Sequence, residues 1–196
     1  MRLMRLGKIS YYADFYVYPA AIAALAAFAI WRGPEGGWAT WLGAFVSGVA
    51  LWTLVEYLLH RYVLHHVPYI KQMHDAHHAD QQALIGTPIW ISLSIMVVFV
   101  LIPLTFLVEQ HVAIGLACGL MLGHFWYGGV HHILHHWKIE PGTYWYKLKR
   151  RHMLHHHFDE MGNFGVTSGF WDVVFGTDVK VRVAAAPRLR EHERQQ

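Results

Sequence analysis

The chain has 196 residues, of which 55% are hydrophobic and only 15% are charged, and its formal net charge is +3. Apolar residues this contiguous exclude an ordinary soluble domain, and the composition predicts one compact, all-α membrane protein. A single cysteine, Cys118, excludes an intrachain disulfide and in practice a thiolate metal site. The basic balance favours contact with anionic lipid headgroups, and no nucleic-acid partner is expected.

Four apolar stretches are long enough to cross a bilayer as helices, at about residues 11–31, 38–59, 83–108 and 111–127. The first lacks a small-residue cleavage site and carries Asp14 near its start, which favours a span over a signal peptide. Pro88 and Pro103 lie inside the third stretch and permit kinks. Segments that dip into the bilayer without crossing it therefore stay open as an alternative.

Charge predicts the orientation of these spans. The two short links at 32–37 and 109–110 hold a single basic residue, Arg32, whereas the N-terminus and the histidine-bearing segments hold the other fifteen. By the positive-inside rule, both termini and the histidines face the cytoplasm, and four spans satisfy that arrangement. We expect residues 1–179 to form one membrane domain and residues 180–196 to form a charged, flexible tail.

Ten of the seventeen histidines fall into four clusters at or soon after the ends of apolar stretches. On a helix, histidines three or four apart share a face and can converge. His60 and His65 are five apart, about 140° out of alignment, so this pair requires a helix end or a bend. Ten imidazoles exceed what one ion can hold, which predicts two ions with about five nitrogens each. The candidate ligands are His60, His65, His74, His77, His78, His131, His135, His152, His155 and His156.

The other histidines carry weaker expectations. His66, His132, His136 and His157 are immediate neighbours of the candidates and are expected to point elsewhere. His124 lies inside an apolar stretch, where a hydrogen bond between helices is the expectation. The chain has neither HExxH nor a paired-carboxylate di-iron motif, which argues against a zinc membrane protease and a ferritin-like centre. Four aromatic residues either frame a substrate entrance or pack at the membrane interface: Tyr144, Trp145, Tyr146 and Trp171.

At this level of detail the motifs resemble the fatty acid hydroxylase/sterol desaturase superfamily, and most closely its fatty acid 2-hydroxylase branch. The similar strings are EYxxHRxxxH at 56–65, HxxHH at 74–78, HxxxH at 131–135, HxxHH at 152–156 and NFGVTS through FWD to GT at 163–177. The resemblance implies a base of four transmembrane helices and a cytosolic, histidine-rich helical cap. It further implies a dinuclear centre taken to be di-iron, and O2-dependent hydroxylation of a lipid acyl chain, at C2 in this branch.

The expected chemistry needs a redox metal, because acid-base groups cannot break an unactivated C–H bond. Glu56, one turn before His60, is expected either to hydrogen-bond a ligand ring or to cap the helix or pair with Arg61. Asp172 either supports a ligand in the same way or anchors the last loop. The acyl chain is expected to lie along the apolar bundle, with its polar head near the histidines.

The resemblance also bears on partners. Eukaryotic members of this branch often carry a cytochrome b5 domain, whereas about ten residues precede the first span here, so a separate donor is expected, either cytochrome b5-like or of the ferredoxin/reductase type. Zinc can replace iron in purified protein because nitrogen-rich sites accept it readily. The alternatives are a sterol or carotenoid hydroxylase or desaturase, a metal transporter or storage protein, and a non-catalytic lipid-binding protein. A transporter should place its ligands at the bilayer midplane.

Overall fold

The computed structural model describes residues 5–180, so almost all of the predicted tail at 180–196 lies outside the described residues. Within 5–180 the regular structure is helical apart from one isolated bridge between Arg5 and Ile85. The helices are α1 Lys8–Tyr12, α2 Asp14–Arg32, α3 Trp38–Leu58, α4 Pro68–Ala79, α5 Ile89–Ile95, α6 Ile102–Leu107, α7 Gln110–His136, α8 Tyr144–His157 and α9 Phe170–Val174, with π-helical turns at Leu59–Leu64 and Met96–Leu101.

Four continuous helical segments are long and apolar enough to cross a membrane: Lys8–Arg32, Trp38–Leu64, Ile89–Leu107 and Gln110–His136. This confirms four helices of spanning length and composition, with three corrected boundaries. The second segment ends at Leu64 rather than near 59. The third span begins at Ile89 rather than near 83, because Pro88 has extended backbone and ends the loop before the helix. The fourth continues nine residues past 127, to His136, and His135 in its last turn is buried.

The central helix of the bundle is α7, which packs along α3 over small residues. A Cβ atom added at Gly48 would overlap the backbone oxygen of Leu116, and one added at Gly119 would overlap the backbone oxygen of Phe45. Glycine at these positions lets two apolar helices approach closely, the usual device where no hydrophobic effect drives helices together. The close α3–α7 contact fixes the relative positions of the helix ends that carry His60, His131 and His135.

Candidate metal centre

A π-helical turn resolves the spacing of His60 and His65. The turn covers Leu59–Leu64, directly after α3, and His65 caps its end. Hydrogen bonds to the fifth residue widen each turn, so residues five apart come close to one face. The two imidazole rings stack with centroids 5.3 Å apart. The bend that the sequence required is therefore this local change of helix type.

The first histidine group surrounds His74. Its Nε2 atom lies 3.1 Å from Nε2 of His60 and 3.2 Å from Nε2 of His65. Nε2 of His78 lies 3.0 Å from it on another side. Nε2 of His155 completes the group, 3.3 Å from Nε2 of His65. All five ligand atoms lie within 4.8 Å of one another, so this group could hold a metal ion.

The second group surrounds His135 in the same manner. Its Nε2 atom lies 3.1 Å from Nε2 of His77 and 3.2 Å from Nε2 of His131. The Nε2–Nε2 distance to His152 is 2.8 Å. Nε2 of His156 lies 3.1 Å from Nε2 of His152. These five ligand atoms also lie within 4.8 Å of one another, giving a second group that could hold an ion.

The two groups interleave on α4 and α8. His74 and His78, four residues apart, join the first group, whereas His77 joins the second. Adjacent residues on a helix point about 100° apart, so His77 and His78 point toward different groups. One HxxHH motif therefore supplies ligands to both groups. The motif on α8 is divided likewise. His78 and His156, one from each group, stack with ring centroids 4.1 Å apart, so the groups are direct neighbours.

The donor geometry fits metal ions better than hydrogen bonds. Nε2 of His74 and Nε2 of His135 each have three imidazole nitrogens at 2.8–3.2 Å. A neutral imidazole nitrogen either donates one hydrogen bond or accepts one, so it cannot satisfy three neighbours. With metal–nitrogen bonds of about 2.1 Å, adjacent nitrogens of an octahedral shell lie about 3 Å apart. The histidines therefore fit a metal ion at the middle of each group.

Two backbone carbonyls fix the tautomers of first-group ligands. Nδ1–H of His60 donates to the carbonyl oxygen of Phe164 at 2.6 Å, and Nδ1–H of His155 donates to that of Gly162 at 2.8 Å. A proton held on Nδ1 leaves the Nε2 lone pair free for a metal. Sequence reasoning missed both acceptors. The available signal was Asn163 between them, which adopts a positive φ of 55° in a tight turn.

Glu56 anchors the loop that supplies these carbonyls. Its Oε1 accepts hydrogen bonds from the backbone N–H groups of Val166 and Thr167, and its Oε2 accepts one from the Thr167 hydroxyl. The three expected roles of Glu56 are therefore wrong. Its oxygens bond neither a histidine ring nor Arg61, which donates to the Tyr57 hydroxyl. It does not cap the helix either, since no side chain among the described residues caps the end of α3 or the π-helical turn that follows. Glu56 acts on His60 indirectly, through the position of the loop.

Asp172 anchors the same loop from its other side. Its Oδ1 accepts from the backbone N–H of Phe164 and the hydroxyl of Thr177, and its Oδ2 accepts from the backbone N–H of Gly165. Arg151 donates to Oδ2 at 3.1 Å. The side chain of Asp172 is fully buried. Of the two roles predicted for Asp172, the structure shows that it anchors the loop. In doing so it helps to position Phe164, whose carbonyl oxygen accepts from His60.

Burial keeps the cap histidines neutral. It lowers the pKa of His65, His77 and His78 to about 4 and that of His155 to about 3. Nearby positive charges, mostly other histidines, contribute to these lowered pKa values, because two imidazolium ions repel each other. The pKa of His74 is lowered by the same causes. Neutral imidazole is the form that binds metal, so the metal-free site is already in its ligand state.

A cavity of about 240 Å³ lies between residues of the candidate spans and both histidine groups. His60 and His74 of the first group line it, together with His77 and His131 of the second. Its walls are largely apolar and include Leu6, Phe15, Trp52, Leu59, Leu64 and Phe125. Asp14 also lines the cavity, and within residues 5–180 its Oδ1 has no hydrogen-bond partner.

The remaining histidines within residues 5–180 lie outside both groups, as expected. Nδ1 of His66 bonds the carbonyl of Arg61, and His157 accepts from the side chain of Gln81. The four neighbours of the candidate ligands are His66, His132, His136 and His157, and none belongs to either group among the described residues. The expected hydrogen bond of His124 between helices is not among its described contacts. Its ring instead packs against the rings of Tyr18 and Trp52, with centroids 4.9 and 5.2 Å away.

The fold and the site together define an integral membrane protein with four candidate spans and two histidine groups that could each hold a metal ion. The chain belongs to the fatty acid hydroxylase family, whose model, described as "Fatty acid hydroxylase", matches residues 45–177. This confirms the superfamily that the motifs indicated.

Individual relatives agree with the branch. The chain is 34% identical to rat fatty acid 2-hydroxylase over 148 residues, which covers 69% of this chain and 39% of the rat protein. It is 36% identical over 150 residues to the ceramide very long chain fatty acid hydroxylase of Saccharomyces cerevisiae, covering 68% of this chain and 37% of that protein. The chain thus spans about two fifths of the length of these relatives.

A solved structure shares the fold. The structure described as full-length scs7p, with only the hydroxylase domain visible, aligns with a TM-score of 0.76 and 25% sequence identity. The alignment covers 91% of this chain and 69% of that chain. The 2-hydroxylase branch predicted from the motifs is confirmed by the named relatives, and the solved structure supports the fold.

Proposed function

We propose that this protein is an O2-dependent lipid hydroxylase that uses two iron ions to insert a hydroxyl group into a fatty acyl chain at C2. The observation that carries the proposal is the convergence of ten Nε2 atoms into two neighbouring groups beside one cavity. The names of the relatives support acyl hydroxylation as the reaction. The proposed ligands are the five histidines of each group.

Iron is the metal that the proposed reaction needs. When bound, the two ions supply the redox chemistry for activating O2 and attacking an unactivated C–H bond, which no side chain of the cap can perform. The all-imidazole donor set leaves each ion with neutral ligands. The same set accepts zinc, so zinc is expected in protein purified without iron. The carbonyls of Phe164 and Gly162 hold the first-group rings in their binding tautomer.

The cavity is proposed to bind the acyl chain. Its apolar walls between α2, α3 and α7 exclude water from the reacting carbon and orient the chain toward the histidines. Hydroxylation at C2 requires the polar end of the lipid to stay within a few bonds of the metals. Asp14 is the group in the cavity wall best suited to that end, because its partnerless oxygen would accept a hydrogen bond from an amide N–H or hydroxyl. An N-acylated lipid supplies such a donor.

The proposed reaction also requires a source of electrons. Each hydroxylation consumes two electrons, and we propose that a cytochrome b5-like or ferredoxin/reductase donor delivers them.

We place the histidine side and both termini in the cytoplasm, because the basic residues concentrate on that side of the spans. The position of the histidines at helix ends rather than at mid-helix favours an enzyme over a metal transporter.

The proposal is tested by lipid analysis of cells that express the wild type and a His155→Ala, His156→Ala double variant. We expect lipids that gain one oxygen atom in the acyl chain with the wild type and lose this product with the double variant. His157→Ala is the matched control, because His157 is exposed and belongs to neither group. A product that instead loses two hydrogen atoms would establish desaturation. Unchanged lipids in all strains, with each protein present in the membrane, would contradict the proposal.

A further inference from the structure

The cap carries an exposed apolar edge that the histidine centre does not use. We call Tyr144, Phe170, Val173, Val174 and Phe175 the apolar edge. Between 47% and 64% of each residue is exposed. Four of the five come from α9 and the residue that follows it, and Tyr144 begins α8. A group of exposed apolar side chains of this kind is typical of an interaction site rather than of a water-facing loop.

Contacts with α3 place the edge at the depth of the membrane boundary. Nε1–H of Trp171 donates to the hydroxyl of Thr53 at 3.0 Å, and the ring of Phe175 stacks on that of Tyr57 with centroids 5.2 Å apart. Counted from Trp38, where α3 begins, Thr53 lies about 22 Å and Tyr57 about 28 Å along the helix axis. The hydrocarbon core of a bilayer is about 30 Å thick.

Contacts with α7 give the same depth independently. The ring of Trp145, at the start of α8, lies 6.1 Å from that of Trp126. Trp126 is about 24 Å along α7 from Gln110, whereas His131 is about 31 Å along it. The helix α8 then rises toward the histidines, since the ring of its His152 lies 5.0 Å from that of His131. The start of α8 is therefore closer to the bilayer centre than the proposed metal ligands are.

The charges of α8 follow the same direction. Lys147 and Arg150 are exposed and lie about 3 and 8 Å beyond Trp145 along the helix axis. Asp159 and Glu160 are exposed beyond the far end of α8. The order along α8 is thus aromatic, then basic, then acidic. This order matches the acyl layer, the phosphate layer and water at an anionic membrane surface.

We propose that the apolar edge is inserted into the bilayer leaflet on the histidine side. Phe170, Val173 and Val174 contact the acyl chains at their boundary with the headgroups, and Lys147 faces the lipid phosphates. The edge continues the lipid-facing surface of α3, so the cap is held to the membrane by α9 as well as by the spans. This inference is independent of the reaction that the centre catalyses.

The test uses a fluorescent label on one cysteine introduced into the full chain, which keeps its buried Cys118, reconstituted in vesicles of phosphatidylcholine and phosphatidylglycerol. Val173→Cys reports on the edge, Val174→Cys repeats the measurement at a second site, and Glu160→Cys is the water-facing control. The wild type, whose Cys118 is buried, gives the background labelling. Each sample is quenched by lipids brominated on their acyl chains and, separately, by iodide in the buffer.

We expect brominated lipids to quench labels at 173 and 174 several times more than the label at 160, with the reverse order for iodide. Equal iodide quenching at 173 and 160 would overturn the proposal, because the edge would then face water. Protection of 173 and 174 from both quenchers would also overturn it, since another protein surface would then cover the edge. Matching circular dichroism spectra establish that the variants are folded.

Discussion

Replacing Glu56 measures how firmly the loop at 163–168 is held against the histidines. Its three hydrogen bonds to Val166 and Thr167 are 2.7, 2.8 and 2.6 Å long. Glu56→Ala leaves two backbone N–H groups without an acceptor, and at about 1–3 kcal/mol each the free energy of unfolding falls by about 2–6 kcal/mol. Glu56→Gln keeps one oxygen and loses charge assistance, so it costs about 1–2 kcal/mol.

Replacing Glu56 should also weaken metal binding. The loop supplies the Phe164 carbonyl that accepts from His60, so loosening it should weaken metal binding by the first group by about 10–100-fold. Unfolding is followed in mixed micelles by titration with a denaturing detergent, and affinity by titration of metal into the metal-free protein. Glu35→Ala, at an exposed loop position, is the control. If the free energy of unfolding of Glu56→Ala stays within about 0.5 kcal/mol of the wild type, as it does for neutral surface changes, then Glu56 does not hold the loop.

Four further outcomes are expected. Asp172→Ala should destabilise the protein by about 2–6 kcal/mol in the same titration, because it leaves the buried backbone N–H groups of Phe164 and Gly165 without an acceptor, at about 1–3 kcal/mol each. Gly119→Ala should cost about 1–3 kcal/mol through overlap with α3, while Gly43→Ala, where a Cβ meets nothing within 4 Å, should be neutral. Metal-free protein should unfold at a lower temperature at pH 5 than at pH 7.5. In the folded protein, cap histidines whose pKa is lowered to about 4 stay neutral, whereas the histidines of the unfolded chain bind protons near pH 6.5. Their contribution to the free energy of unfolding is therefore fully present above pH 6.5 and is lost as the pH falls toward 4. An unfolding temperature that does not change between pH 5 and pH 7.5 would contradict this. Asp14→Ala should raise KM for an N-acylated lipid more than it lowers kcat; an unchanged KM would exclude Asp14 from substrate binding.

The spans could be predicted because a bilayer imposes one simple requirement, about twenty apolar residues in a row. The histidine clusters could also be predicted from the sequence, because helical spacing decides which rings share a face. The sequence could not place the third span's start at Ile89, since apolar content alone does not separate a loop from the helix that follows it. It also could not extend α7 to His136, in whose last turn His135 is buried.

The supporting contacts were beyond sequence reasoning for a different reason. Glu56 bonds residues more than 100 positions away, and no local pattern encodes such a partner. The division of His74 and His77 between two groups depends on how α4 and α8 face each other, which helical spacing alone leaves undetermined. The π-helical turn at Leu59–Leu64 was visible only as a spacing that an ideal α-helix could not satisfy.

The central claim, that two metal ions are held by separate five-histidine groups, is tested most directly by three consecutive residues of one helix. His155 belongs to the first group, His156 to the second, and His157 to neither. Metal content per chain is measured for the wild type and the three single alanine variants after saturation with metal and removal of excess. We expect two ions in the wild type and in His157→Ala, and weakened retention of one ion in each of the other two variants. Fewer than two ions in the wild type, or equal loss in all three variants, would contradict it.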